Sequence, residues 1–104
     1  FYKKAVEIRE RLCKRNPDAF EPDLAMSYNN LGVLYANIQE YEDAELFLKK
    51  AVEIQERLSK RNPDAFEPDL AMSYNNLRTL YNDMQSAKDS KKHKSFIKRL
   101  FKKN

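Results

Sequence analysis

Residues 1–31 return almost unchanged as residues 47–77, at a fixed offset of 46 positions. Of these 31 pairs only three differ: Tyr2/Leu48, Arg9/Gln55 and Cys13/Ser59. The run from Lys14 to Leu31 is letter-identical to the run from Lys60 to Leu77. Self-similarity at such a period is the mark of an array, in which one supersecondary unit stacks on the next. After Leu77 the likeness fades and only Leu80, Tyr81, Gln85 and Asp89 keep their counterparts, as expected of a last unit with no stacking face to present.

Within a unit the apolar spacing is helical. Leu24, Tyr28, Leu31, Tyr35 and Ile38 recur every three or four residues, and so do Tyr41, Ala44, Leu48, Ala51, Ile54 or Gln55, and Leu58. Pro22 suits a first helical position and Asp23 complements the helix dipole behind it. Pro63 disfavours helical geometry at Asn62 and should close the second helix. Gln39-Glu40 leaves room only for an antiparallel hairpin. The offset then predicts an all-α chain of five helices, at about 1–15, 22–38, 41–61, 68–84 and 87–102. Gly32 costs roughly 1 kcal/mol relative to Ala inside a helix, so its presence predicts a close helix crossing. Its counterpart Arg78 predicts that the crossing loosens in the second copy.

Composition narrows the function. With one Cys and one His among 104 residues, the chain cannot build an internal disulfide framework, a multi-cysteine metal site or a His-pair site. Cys13 has Ser as its counterpart, and His93 sits among lysines with no partner at ligand spacing. Glu40, Glu42, Asp43 and Glu45 crowd a helix start, where they complement its dipole rather than form a catalytic pair. Neither an enzyme nor a cofactor is expected. No apolar run approaches the roughly 20 residues that span a bilayer. The chain opens on Phe, not Met, with no apolar signal segment behind it. The expectation is a cytoplasmic piece of a longer protein.

Tyr28, Leu31-Gly32, Tyr35, Ala44, Leu48 and Ala51 follow the pattern of the tetratricopeptide repeat. The stretch NNLGVLYANIQEYEDAE and the KKAVEIQERL that closes the unit resemble the repeats of kinesin light chains and related bacterial arrays. The likeness is specific over 24–58, extends to 1–20 as a half-repeat and to 70–85, and weakens beyond 86. The chain departs from the family at the hairpin glycine, here Gln39, and at the proline after the second helix, here Glu56. Two small or aromatic positions of the last repeat are Ser90 and Lys94. The resemblance implies a right-handed α-solenoid of antiparallel helix hairpins acting as a protein-interaction scaffold. Its expected units are 1–21 (the second helix of an upstream repeat with a linker), 22–67 (a complete repeat with a long second helix) and 68–104 (a terminal repeat with a basic capping helix).

Opposite the apolar stripe of 22–38, at 100° per residue, lie Met26, Asn29, Asn30, Val33 and Asn37. A merely solvated face carries Lys and Glu; this one carries three amides and no charge. The second copy supplies Met72, Asn75, Asn76, Thr79 and Asp83. In the family the first helices line the concave groove, which puts these residues inside it. Asn offers both donor and acceptor, and helices packed ~8–10 Å apart match about three residues of extended chain. Paired asparagines on successive first helices therefore suit an extended peptide backbone, and the resemblance assigns that grip to Asn30 and Asn76. The competing reading is that these amides tie neighbouring repeats together. The groove lacks the Lys or Arg that a carboxylate clamp needs, since Arg78 lies to its side.

Charge is uneven. Residues 88–104 hold eight Lys/Arg and one Asp, net +7, whereas residues 1–87 are net −3. Phe96, Ile97, Leu100 and Phe101 form an apolar stripe among Lys94, Lys98, Arg99 and Lys102. The favoured reading is a cap whose stripe covers the last hairpin; the alternative is a helix that docks on an anionic surface (acidic protein, membrane or nucleic acid). With no aromatics interleaved for base stacking, nucleic acid is disfavoured, and membrane with it. At the other end, Tyr2, Ala5, Val6 and Leu12 read as a stripe open to self-association. The expected partner is a protein or peptide.

Overall fold

The computed structural model describes residues 2–102, with the side chains of Tyr2 and Lys102 outside the described set. Four helices account for nearly all of it: α1 (Tyr2–Arg15), α2 (Pro17–Asn37), α3 (Tyr41–Arg61) and α4 (Pro63–Lys102). Consecutive helices pack on one another, and α2 also touches α4, whereas the α1 and α3 backbones do not approach closely.

The 46-residue offset of the sequence is an offset of contacts. Between α1 and α2, Arg9 donates to the Ser27 hydroxyl and Tyr28 donates to Glu10 at 2.9 Å. Between α3 and α4, the Ser73 hydroxyl donates to Gln55 and Tyr74 donates to Glu56 at 2.5 Å. One interface is thus built twice from equivalent residues.

α2 lies between α1 and α3 and supplies the centre of the core. Leu24, Ala25, Tyr28 and Leu31 are buried with Val6 and Cys13 of α1 and with Ala51, Ile54 and Leu58 of α3. Phe47 stacks between Tyr28 and Tyr35, with ring centroids 5.9 and 5.7 Å away. A smaller cluster of Ala44, Leu48 and Leu80 joins α3 to α4. Each large side chain sealed this way contributes about 1.5–3 kcal/mol.

Gly32 marks the expected close crossing. A Cβ there would meet the Cγ and Cδ2 of Leu48 at 2.6 Å and the Ala44 carbonyl oxygen at 3.3 Å, and Leu48 itself is fully buried. Arg78, its counterpart, is exposed. The hairpin that brings α3 back onto α2 closes as a Schellman turn. The Glu40 amide donates to the Tyr35 carbonyl at 2.9 Å and the Gln39 amide to that of Ala36 at 3.0 Å. Gln39 is left-handed at φ 63°, a conformation that glycine adopts without the steric penalty. Ile38, expected on the apolar stripe, lies past the end of α2 and is exposed.

Two expectations are corrected. α2 and α4 begin at Pro17 and Pro63, not at Pro22 and Pro68, which lie inside the helices. The first proline of each Asn-Pro-Asp-Ala-Phe-Glu-Pro run takes the first helical position, where its missing N–H costs nothing. The second sits only five residues further on: in α2 the buried Glu21 before it pairs with Arg57 of α3 at 2.7 Å and Phe20 packs on the core, and in α4 Phe66 packs there too while Glu67 is exposed. The count is also four helices among the described residues, not five, because 68–84 and 87–102 are one continuous helix. At residues 84–86 there is neither Gly nor Pro, and Gln85 donates to Asp89 at 3.3 Å across one helical turn. Ser90 and Lys94 stand where Ala44 and Leu48 reward the first hairpin for folding back. The 40 residues of α4, about 60 Å at 1.5 Å per residue, set the 66 Å length of the molecule.

Replacing Gly32 by Arg, the residue of the second copy, is expected to lower unfolding free energy by more than about 2 kcal/mol through overpacking against Leu48. Urea denaturation followed by circular dichroism measures it.

Candidate functional site

α2 and α4 carry the amide-bearing faces identified in the sequence. They touch, whereas the α1 and α3 backbones do not approach closely, so successive units meet on the α2/α4 side.

The expected residues divide on that side. Asn30, Val33 and Asn37 of α2 are exposed, as are Met72, Asn75, Thr79 and Asp83 of α4, and Met26 and Asn76 are half-buried. Asn29 is the exception. Only 2% exposed, it donates from Nδ2 to the Ser73 hydroxyl at 2.7 Å and accepts from Asn76 Nδ2 at 3.4 Å. Ser73 in turn donates to Gln55. Gln55, Ser73, Asn29 and Asn76 thus form one chain of hydrogen bonds across α3, α4 and α2. The face expected to be three open amides on α2 is two, because Asn29 is spent inside the protein. One sequence signal points to this network: Gln55 stands on the apolar stripe of α3, where an uncompensated amide would be costly.

Asn37 and Asp83 line a shallow depression of about 560 Å³ at the hairpin end of α2, together with Tyr41, Ser90, Lys91 and Lys94. The open amide face of α2 therefore runs into the first basic turns of the α4 extension.

That extension does not cap the last hairpin as expected. Lys88 through Phe101 are exposed, with Phe96 at 59% and Phe101 at 74%. Lys94, Lys98 and Arg99 stand in water beside the apolar stripe; the Lys102 side chain lies outside the described residues. At the other end, Val6 belongs to the core, and it is Ile8 of α1 that is exposed, at 47%.

Titratable groups inside the bundle are structural. Burial first, then the hydrogen bond to Glu10, pushes the Tyr28 phenol up. Burial likewise raises the Cys13 thiol, away from the thiolate form that reacts. Among the described residues there is no cluster of three His, Cys, Asp or Glu that could hold a metal ion, and no helix is long and apolar enough to cross a membrane.

A family model described as tetratricopeptide repeat matches residues 24–64. The matched span holds α2 from Leu24 on, the hairpin, all of α3 and the start of α4. Over these 41 of its 104 residues the chain is similar to the tetratricopeptide repeat. No curated protein and no solved structure matches the chain significantly. Tetratricopeptide repeats are a helical scaffold type that mediates protein–protein interaction. Over the matched span α2 takes the place of the first helix and α3, at 21 residues, that of the second.

Asn29→Ala strands the Ser73 and Gln55 partners and is expected to cost about 1–3 kcal/mol of stability. Asn30→Ala, one residue along but exposed, should stay within about 0.5 kcal/mol. Parallel urea titrations separate the two.

Proposed function

We propose that the chain is a protein-interaction scaffold whose α2/α4 face takes an extended peptide segment. The observation that carries this reading is the uncharged, exposed row of Asn30, Val33 and Asn37 on α2, beside Asn76, Thr79 and Asp83 on the helix it touches. Apolar Val33 and half-buried Met26 offer surface for side chains, while the amides of Asn30 and Asn76 meet backbone N–H and C=O groups in either orientation. Asn75 extends the row towards the open side of α4. Asn29 has no part in the contact; its bond to Ser73 holds α2 and α4 at the separation that the peptide reads.

Selection of phage-displayed random peptides on the immobilised chain is expected to enrich a family of extended sequences. Asn30→Ala with Asn76→Ala removes two hydrogen-bonding groups, each of about 0.5–1.5 kcal/mol, and should weaken the selected peptides roughly tenfold or more, with helicity unchanged. Equal affinity for the double variant would remove these residues from the site.

A second reading rests on the far end of α4. Residues 88–104 of the sequence carry net charge +7, and the projecting helix shows Phe96, Ile97, Leu100 and Phe101 to water. A basic helix with an apolar stripe suits an anionic surface, where each Lys or Arg contributes about 1 kcal/mol. Co-sedimentation with phosphatidylserine vesicles should fall steeply with added salt and disappear on deletion of residues 88–104. Binding that ignores salt or survives the deletion rejects this reading.

A further inference from the structure

We infer that the open side of α4 is a docking slot for α1 of a second copy of this chain, so that copies join head to tail and continue the repeat.

The slot is one the chain already fills once. An open cavity of about 420 Å³ beside α2 runs between α1 and α3; Glu10, Cys13, Glu21, Leu24 and Tyr28 form its first wall, and residues of α3 form the second. Forty-six positions on, Glu56, Ser59, Glu67, Leu70 and Tyr74 line an open slot of about 410 Å³ along α4. The first wall is repeated and the second is missing. Tyr74 is therefore 47% exposed where its counterpart Tyr28 is 5% exposed. The hydroxyl of Ser59 on this slot is buried without a partner among the described residues.

The missing wall has a near copy at the start of the same chain. Residues 1–15 repeat residues 47–61, the part of α3 that follows Ala44 and Tyr41 in packing on α2, with the three substitutions already named. Ile54, buried on α2, has exposed Ile8 as its counterpart. The charges match as well. Arg57 of α3 pairs with Glu21 at 2.7 Å and Arg61 with Asp18 at 3.2 Å. The corresponding groups between copies are Arg11 with Glu67 and Arg15 with Asp64, all four exposed. Once α1 of the second copy lies on α4, its α2 follows where α4 follows α3. Asn75 then meets Ser27 of that copy as Asn29 meets Ser73. The α2/α4 faces become continuous across the joint.

The joint is heterologous, so it propagates instead of closing. The weak point is Arg78, which stands where Gly32 lets Leu48 approach.

Light scattering on the chain from micromolar to millimolar should give a mass that climbs above the 12.4 kDa of one chain. Ile8→Glu spoils only the head and Tyr74→Glu only the tail; each alone should weaken association at least about tenfold, as removal of a central interface side chain does. Mixed in equal amounts, they retain one good head and one good tail and should form a discrete two-chain species. Arg78→Gly should tighten association. If Tyr74→Glu lowers helix content, Glu67→Arg serves in its place, since that side chain is exposed in the free chain. One-chain mass at millimolar concentration, association unaffected by Ile8→Glu, or a mixture that stays monomeric overturns the inference.

Discussion

The arrangement of the helices turns on one hydroxyl. Ser73 donates to Gln55 of α3 and accepts from Asn29 of α2, so three helices meet at an atom that is fully buried. Apolar contacts alone let one helix slide along another by a fraction of a turn at modest cost. A buried hydroxyl with both neighbours fixed does not, because any slip leaves a polar group unpaired at a penalty of about 1–3 kcal/mol. The position of α4 on α3, and with it the separation of α2 from α4, follows from that restriction.

Much of this was legible in advance, and the parts that were not have physical reasons. The helical period of α3 was plain because its stripe is nearly uninterrupted, and Gly32 could be read as a crossing because nothing else justifies a glycine inside a helix. The true starts of α2 and α4 were hidden by having two prolines that both suit a first helical turn. Local rules favoured the later one beside the apolar run; both helices start at the earlier one, and in each the phenylalanine between the two prolines, Phe20 or Phe66, packs on the core. Asn29 and Asn30 looked alike, being adjacent amides on one face. A shift of 100° around the helix puts one against Ser73 and the other in water, and that distinction depends on where α4 lies.

The end of the repeat is written in lost rewards. In the first copy the chain accepts a left-handed Gln39 because Ala44 and Leu48 are sealed on the other side of the turn. In the second, Ser90 and Lys94 occupy those places, and a turn there would gain no burial to offset its strain. The helix therefore runs straight on, and lysines that would have been driven against α4 stay hydrated. The same substitutions that remove the hairpin thus give the molecule two unlike surfaces, an amide-bearing α2/α4 face and a basic projecting helix.

Near-identity of the two copies has a consequence for how firmly units hold one another. Of the three differences over 31 positions, one falls at the polar junction: Gln55 grips Ser73, and Arg9 grips Ser27. A neutral amide can be sealed under a neighbouring helix at little cost, and Gln55 is, at 2% exposure. A guanidinium sealed the same way loses hydration worth several kcal/mol unless a carboxylate compensates it, and Arg9 remains half-exposed. A joint that closes over Arg9 and opposes Arg78 is therefore weaker than the internal joint that closes over Gln55 and Gly32. The internal stack is also intramolecular, whereas the proposed stack between copies depends on concentration.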